Sequence, residues 1–438
     1  MTISYSSALA YLNSFTDHSK THAANLAPEN FNLARVDALM ASLGTPQQAY
    51  PVIHIAGTKG KGSTAAFCAA ALQAAGYTTG LYTSPHLEDY VERFQINRMP
   101  IAHANFARLV ENIQPHVANI PHITSFEIEA ALAFWHFAHQ RVDVGVIEVG
   151  MGGRLDATNV VTPLVSVITT ISLDHVPILG TTIAEIAGEK AGIIKEGHPV
   201  VCGPQPEPAR EVIHTIARRR HAPLIQIGEQ VRFTILSSGL EGQRIQINFR
   251  EEAPVELAIP LLGPHQGENA TTAYAALRVA HEQGLQLPVD AIRTGFATMS
   301  WAGRFEILTR DPVPLILDAA HNQDSARRLR QTLDQYFPGR PVILVMGVSG
   351  DKNVREMLEE LKPTDNSGPV TLIATQSSHP RAMPAEQLAT LAQTVYPQVS
   401  HAPLGSAILH ARETAPAEGL ILITGSIFVV GEARTLMR

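Results

Sequence analysis

Cysteine is nearly absent from this chain: Cys68 and Cys202 are the only two in 438 residues. Both fall in apolar stretches, which favours buried free thiols over a disulfide or metal pair and fits a reducing cytoplasm. No segment reaches the ~18 uninterrupted apolar residues of a membrane span. The opening MTISYSSALAYLNSF has no basic stretch followed by a long apolar core, so neither leader nor membrane partner is expected. An excess of positive charge is missing too. Thirty-three basic against forty acidic residues give −7, which argues against a nucleic-acid partner, so any phosphate chemistry must rest on local charge. There is no internal repeat and no low-complexity tract. At the rough rule of ~150 residues per domain, the length corresponds to two or three domains, each able to bury its own core.

What is present begins with PVIHIAGTKGKGST at residues 51–64. Val52, Ile53, Ile55 and Ala56 read as a buried strand, and residues 63–76 read as a helix. Between them, three glycines and two lysines stand within the six residues 57–62. A strand, a glycine loop and a helix start form an anion cradle, because backbone amides and the helix dipole both favour phosphate. Lys61 would reach the outer phosphates, and Ser63 or Thr64 could meet a magnesium ion. The loop is shorter than the common G-x-x-x-x-G-K-[ST] form and sets a glycine between lysine and hydroxyl. A plain strand-to-helix turn would not need the lysines.

Apolar strand-like runs recur at 79–83, 142–149, 164–171 and 199–202, with helical stretches between several of them. This alternation predicts an α/β fold with a mainly parallel sheet covered on both faces. Residues 231–250 alternate around Ser237-Ser238-Gly239 and predict a small side hairpin, and 267–283 have the alanine-rich composition of a helix. Strands restart at 314–320, 341–347, 370–375 and 419–425. Two domains are therefore expected: a phosphate-loop domain over 1–300 and a smaller Rossmann-like α/β domain over 301–438.

Four polar clusters interrupt apolar runs. Thr83-Ser84-Pro85-His86-Leu87 follows a strand, at the edge where α/β sheets bind ligands, although taken alone an ordinary Ser-Pro turn explains it slightly better. Glu148 ends an almost wholly apolar strand and needs a partner, for which a metal ion is suitable. The following Gly150-x-Gly152-Gly153 lacks the last glycine and the helix of a dinucleotide fingerprint. Asp174-His175 closes another strand; a lone histidine is commonly a core residue, but its strand-end position beside Glu148 favours function. Glu189-Lys190 reads either as a solvated helical pair or as a lysine in a partly dry site. Such a lysine can react with carbon dioxide to give an anionic carbamate.

In sequence order, GTKGKGST, TSPHL, ERFQIN, TSFE, EVGMGGRLDATN, LDH, EKAGIIK, HQGENA, GRFE, DAAHN and TGSIFVVGEAR resemble the folylpolyglutamate synthase/dihydrofolate synthase family of the Mur ligase superfamily. The likeness runs from about residue 30 to the C-terminus. Departures are Lys59 where asparagine is common, DAAHN for DGAHN and WAGRFE for PGRFE; none removes a charged or ligating group. The resemblance implies that Thr58, Lys59, Gly60, Lys61, Gly62 and Ser63 hold ATP phosphates. It assigns Ser84 and Glu148, with Ser63 close by, to one Mg2+ and His175 to a second, and makes Lys190 a carbamylated lysine. Asn269, Arg304 and Asp318 would complete the ATP contacts in a cleft between the domains, with His321 near the phosphates. Lys61, His175, Lys190 and Arg304 would carry catalysis. Thr124, Ser125, Phe126, Glu127, Leu155, Asp156 and Ala157 would contact pteroate, and Asn30–Val36 would border the pterin.

The implied reaction is ATP-dependent amide formation between L-glutamate and a dihydropteroate or reduced-folate carboxylate, by a cytoplasmic monomer. Transfer of the γ-phosphoryl group to a carboxylate creates an acyl phosphate, which an amine can attack; charge neutralisation is the main requirement. Two other classes remain in view. A cell-wall Mur ligase should bring a nucleotide-sugar domain ahead of the loop, where only about fifty residues stand. A phosphate-loop switch protein would not need Glu148, His175 and Lys190 together.

Overall fold

The computed structural model describes residues 3–16, 32–364 and 368–438. They form two units, one of 1–237, 244–260 and 266–299 and the other of 238–243, 261–265 and 300–438. The chain passes to the second unit after Met299, but the two short inserts also belong to it, so the units are not simple consecutive blocks.

The first unit is built on β1 (Val52–Ala56), β2 (Thr79–Tyr82), β3 (Phe94–Ile96), β4 (Met99–Pro100), β5 (Val144–Glu148), β6 (Val165–Ile168), β7 (Val200–Cys202) and β8 (Leu224–Gln226). Their order is β4-β3-β2-β5-β1-β6-β7-β8. The ladder is parallel from β2 to β8, and β3 and β4 add an antiparallel edge. All five residues of β1 are buried, as a strand covered on both faces requires. The helix Lys61–Ala74 has an unbroken buried run from Ser63 to Leu72, which its alanines permit by lying close to their neighbours. Phe67 meets Phe296 of the helix Val289–Thr298 with ring centroids 4.8 Å apart.

Two local expectations are corrected. The helix after the loop starts at Lys61 rather than Ser63, because Gly60 adopts φ +85 and serves as its N-cap. The hairpin does not turn at Ser237-Ser238-Gly239. Its strands are β9 (Val231–Gly239) and β10 (Gly242–Phe249), with β11 (Val255–Ile259) as a third, so the turn falls at Leu240-Glu241. Arg310 donates to the Leu240 carbonyl and pairs with Glu241, fixing that tip; serines and glycine simply end an exposed strand.

In the second unit, β12 (Glu306–Thr309), β13 (Leu315–Leu317), β14 (Val342–Met346), β15 (Val370–Ala374), β16 (Val399–His401) and β17 (Leu420–Thr424) are ordered β12-β13-β17-β14-β15-β16. All pairs are parallel except β12 with β13. The short edge strands β12 and β16 escaped the sequence reading because none of their residues is fully buried. Both cysteines are buried free thiols, and burial pushes their pKa values up, that of Cys202 to about 12. Among the described residues no helix is long and apolar enough to cross a membrane.

Candidate active site

The parallel ladder sets Ile55 beside Glu148 and Val167, and Tyr82 beside Ile147. The C-terminal ends of β1, β2, β5 and β6 are therefore neighbours. The segments leaving them, at 57–60, 83–87, 149–156 and 169–175, share the sheet edge where α/β folds take ligands.

The glycine loop has little room for any other residue type at two positions. A Cβ on Gly57 (φ +147) would stand 1.8 Å from Thr169 Oγ1, and one on Gly60 (φ +85) 2.0 Å from Asn269 Oδ1. Thr58 and Lys59 amides both donate to Thr170 O at 3.0 Å. The first helical bond runs from Thr64 N–H to Gly60 O at 2.9 Å, so the amides of Lys61, Gly62 and Ser63 precede any intrahelical acceptor. These three, with the positive end of the helix dipole, are the donors an anion would meet. The Thr64 hydroxyl beneath them is buried without a hydrogen-bond partner.

Charges gather around this helix start. Lys61 Nζ lies 3.9 Å from Glu148 Oε1 and Lys59 Nζ 3.9 Å from Asp174 Oδ2, all four side chains largely buried. Lys190 is 4% exposed, and its Nζ donates to Gly57 O at 2.9 Å. Burial, followed by the nearby Lys61, lowers its pKa from 10.5 to about 7. Glu189-Lys190 is thus not a helical ion pair: Glu189 instead takes Arg154 at 2.8 Å, while Lys190 points into the site. Consecutive helical residues point about 100° apart, so this outcome follows from helix geometry.

His175 caps the short helix Val176–Leu179 in the left-handed conformation (φ 50), and its amide donates to Asp174 Oδ1 at 3.0 Å. Ser84 is half-buried two residues beyond β2. Among the described residues no three His, Cys, Asp or Glu side chains cluster as a metal cage. The oxygen donors at this edge suit magnesium nonetheless: one carboxylate and serine hydroxyls leave room for waters and phosphate oxygens, which that ion prefers to an all-protein cage.

Residues 55–277 match the family model described as Mur ligase middle domain, and 303–427 match Mur ligase, glutamate ligase domain. The dihydrofolate synthase/folylpolyglutamate synthase of Mycobacterium tuberculosis is 38% identical over 92% of this chain and 90% of its own. That of Escherichia coli is 32% identical over 96% and 93%. Among solved structures, M. tuberculosis folylpolyglutamate synthase complexed with ADP is similar with TM-score 0.88 and 37% identity, covering 99% of this chain and 98% of that one. The E. coli protein in complex with DHPP and ADP is similar with TM-score 0.87 and 30% identity, over 99% and 98%. This chain belongs to the dihydrofolate synthase/folylpolyglutamate synthase family. It is an ATP-dependent acid–amino acid ligase of the Mur type.

In this ligase the segments expected to contact pteroate also have firm structural duties. Thr124 caps the helix Ser125–His139, and Glu127 completes the capping box through the Thr124 amide at 2.7 Å. The same carboxylate takes Arg35 Nε at 3.0 and 3.1 Å. Arg35 lies in the Asn30–Val36 segment, of which Asn30 and Phe31 are outside the described residues. The Phe126 ring leaves no space for a side chain at Gly150, where a Cβ would be 2.3 Å from Phe126 Cζ, so the TSFE and EVGMGGRLDATN segments touch. Asp156 is buried and accepts Met151 N–H at 2.9 Å and Thr158 N–H at 3.0 Å. Burial raises its pKa, and these donors oppose the rise. Ser125 and Ala157 are buried, whereas Leu155 is half-exposed.

Two buried polar features escaped the sequence reading. Arg93 pairs with Glu129, donates to His86 Nδ1 at 3.1 Å and lies over the Tyr90 ring at 4.7 Å. His54 in β1 is fully buried and contacts Thr158 Oγ1 at 2.9 Å. A polar residue set among apolar ones, Glu129 between Ile128 and Ala130 and His54 in VIHIA, was the available signal.

In the second unit, Asp318 follows β13 and accepts the amides of Phe305 at 2.8 Å and Ala320 at 2.9 Å. Burial raises its pKa and Arg304 counters. Arg304 Nη1 donates to Gly303 O at 3.1 Å, and His321 Nδ1–H to Ala319 O at 2.9 Å. In the first unit, Asn269 of the helix Pro264–Glu282 donates to Gln266 Oε1 at 2.9 Å.

Proposed function

We propose that this ligase joins L-glutamate to both dihydropteroate and reduced folates, using ATP and two magnesium ions with Lys190 carbamylated. It is an ATP-dependent folate–glutamate ligase. The observation that carries the reading is the meeting of Lys61, Glu148 and Lys190 with the amides of residues 61–63 at one sheet edge. The γ-phosphoryl group passes from ATP to the acceptor carboxylate, releasing ADP and leaving an acyl phosphate. The glutamate amine then attacks the acyl carbon, loses a proton, and phosphate departs as the amide forms. Lys61 and the helix-start amides hold the phosphates of ATP and offset the charge that develops on the transferred group. Asn269 sits over Gly60 and shapes that loop. For Arg304, Asp318 and His321 of the second unit, the family resemblance implies ATP contacts.

Ser63, Ser84, Glu148 and His175 would hold magnesium, which supplies charge neutralisation on the phosphate oxygens when bound. A carbamylated Lys190 would add an anionic oxygen to that set; its low pKa leaves a large share of the amine neutral near pH 7, the form that reacts with carbon dioxide. Thr124–Glu127 and Leu155–Ala157 would frame the acceptor, and the two buried free thiols fit a reducing cytoplasm.

Glutamate-dependent ADP release, measured separately with dihydropteroate and with tetrahydrofolate, tests the reading; turnover with both is expected. Elongation of tetrahydrofolate without any dihydropteroate-dependent ADP release reduces the activity to polyglutamylation. Glu148→Gln should shift the magnesium titration to higher concentration and slow turnover by about tenfold or more, as expected for loss of an anionic ligand. A titration superimposable on the parent's would make Glu148 only the partner of Lys61.

A further inference from the structure

His54 occupies the centre of β1, between Val52, Ile53, Ile55 and Ala56, all fully buried or nearly so. An aliphatic residue would satisfy this position, since the strand bonds are made by the backbone. The imidazole instead leaves Nδ1 buried without a hydrogen-bond partner. Its other nitrogen, Nε2, lies 2.9 Å from Thr158 Oγ1. Thr158 has one hydroxyl proton and donates it to Asp156 Oδ1. The Nε2 atom must therefore carry hydrogen and donate into Thr158, which fixes the histidine as the neutral Nε2–H tautomer.

A directed chain results, from His54 through Thr158 to the Asp156 carboxylate. With the imidazole donating to its oxygen, the Thr158 hydroxyl turns its proton towards Asp156, and the two bonds polarise each other. The neighbouring links hold the same stretch: Asn159 Nδ2 donates to Arg154 O at 3.0 Å and Lys195 Nζ to Asn159 O at 2.9 Å. Residues 155–157 are thus tied to the central strand through His54 and to the flanking loop through Asn159.

We infer that His54 is a positioning residue for the acceptor, acting through Thr158 to hold the Asp156 carboxylate and the Leu155–Ala157 segment in the geometry that receives the pteroate or folate acceptor. The inference rests on the reading that residues 155–157 contact the acceptor. It assigns His54 no part in ATP binding, although the phosphate loop begins only three residues later.

The test compares His54→Val, which removes the donor, with His54→Gln, whose side-chain amide can restore it. With the intact enzyme, His54→Val should raise the acceptor KM by about tenfold while the ATP KM stays within about twofold, a split that loss of packing alone would not produce. His54→Gln should return the acceptor KM to within about threefold of the parent. Ring-nitrogen NMR of the parent should show a neutral Nε2–H imidazole. A folded His54→Val enzyme with the parent's acceptor KM overturns the inference, as does a glutamine variant no better than valine. If His54→Val does not fold, Thr158→Val against Thr158→Ser decides: a raised acceptor KM for valine alone supports the inference, and equal values overturn it. Asp156→Ala separates the two levels. An acceptor KM unchanged in that variant overturns the acceptor reading and the inference with it; a raised value there, with none at His54, overturns the inference alone.

Discussion

Lys61→Ala is expected to lower ATP-dependent ligation by about 10²-fold or more with the fold retained. Lys61 is the first residue of its helix, where side chains contribute little to packing, and its ammonium faces Glu148 at 3.9 Å. At that separation the raw attraction is about 4 kcal/mol for an effective dielectric near 20. Desolvation of both groups offsets part of it, but removing the lysine alone leaves Glu148 buried without that cation, so some stability is lost as well. In the reaction no such compensation operates. The charge on the transferring phosphoryl group develops beside a cation already in place, and a hundredfold loss corresponds to about 2.7 kcal/mol of transition-state stabilisation. Single-turnover ADP formation, with circular dichroism to verify folding, checks the result. Parent-like turnover in a folded variant would remove Lys61 from the phosphate site.

The second large effect is expected at Lys190. Lys190→Ala should reduce turnover by about 10²-fold or more, and a short carboxylic acid added to that variant should restore part of it by placing an anionic oxygen in the vacated space. Mass analysis of the active parent at neutral pH should find the carbamate; a fully active preparation with only the unmodified amine would overturn that assignment. Stability carries a second signature. Burial lowers the amine from 10.5 to about 7, so between those values the unfolded chain holds a proton that the native chain has lost. Stability contributed by this group therefore rises with pH from about 7 to 10.5 and is lowest below 7, where the buried amine must carry charge. At about 1.4 kcal/mol per pH unit, the full swing is several kcal/mol. In carbon dioxide-free buffer, the difference in unfolding free energy between the parent and Lys190→Met should follow that slope. A flat difference from pH 7 to 10 would show that Lys190 is hydrated in the native state.

Local chemistry decided much of this protein before any long-range contact entered. The run VIHIA followed by three glycines can scarcely be anything but a buried strand and a tight turn into a helix, because the glycines tolerate positive φ and the strand has no solvent face. The alternation of strands and helices likewise determined the parallel class of both sheets, and the order of motifs determined the family. Tertiary structure decided which residues of each motif do which work. Glu189 and Lys190 are adjacent in sequence, yet one pairs with Arg154 and the other reaches Gly57 O, since helix rotation sends them to different surroundings. Thr58 and Lys59 sit in the glycine loop, but their amides are engaged by Thr170 O, whereas those of Lys61, Gly62 and Ser63 have no intrahelical acceptor. The link from His54 to Thr158 spans 104 residues. No periodicity encodes such a contact: it exists because β1 and the segment after β5 are brought together by a sheet whose strand order is not the order of the chain.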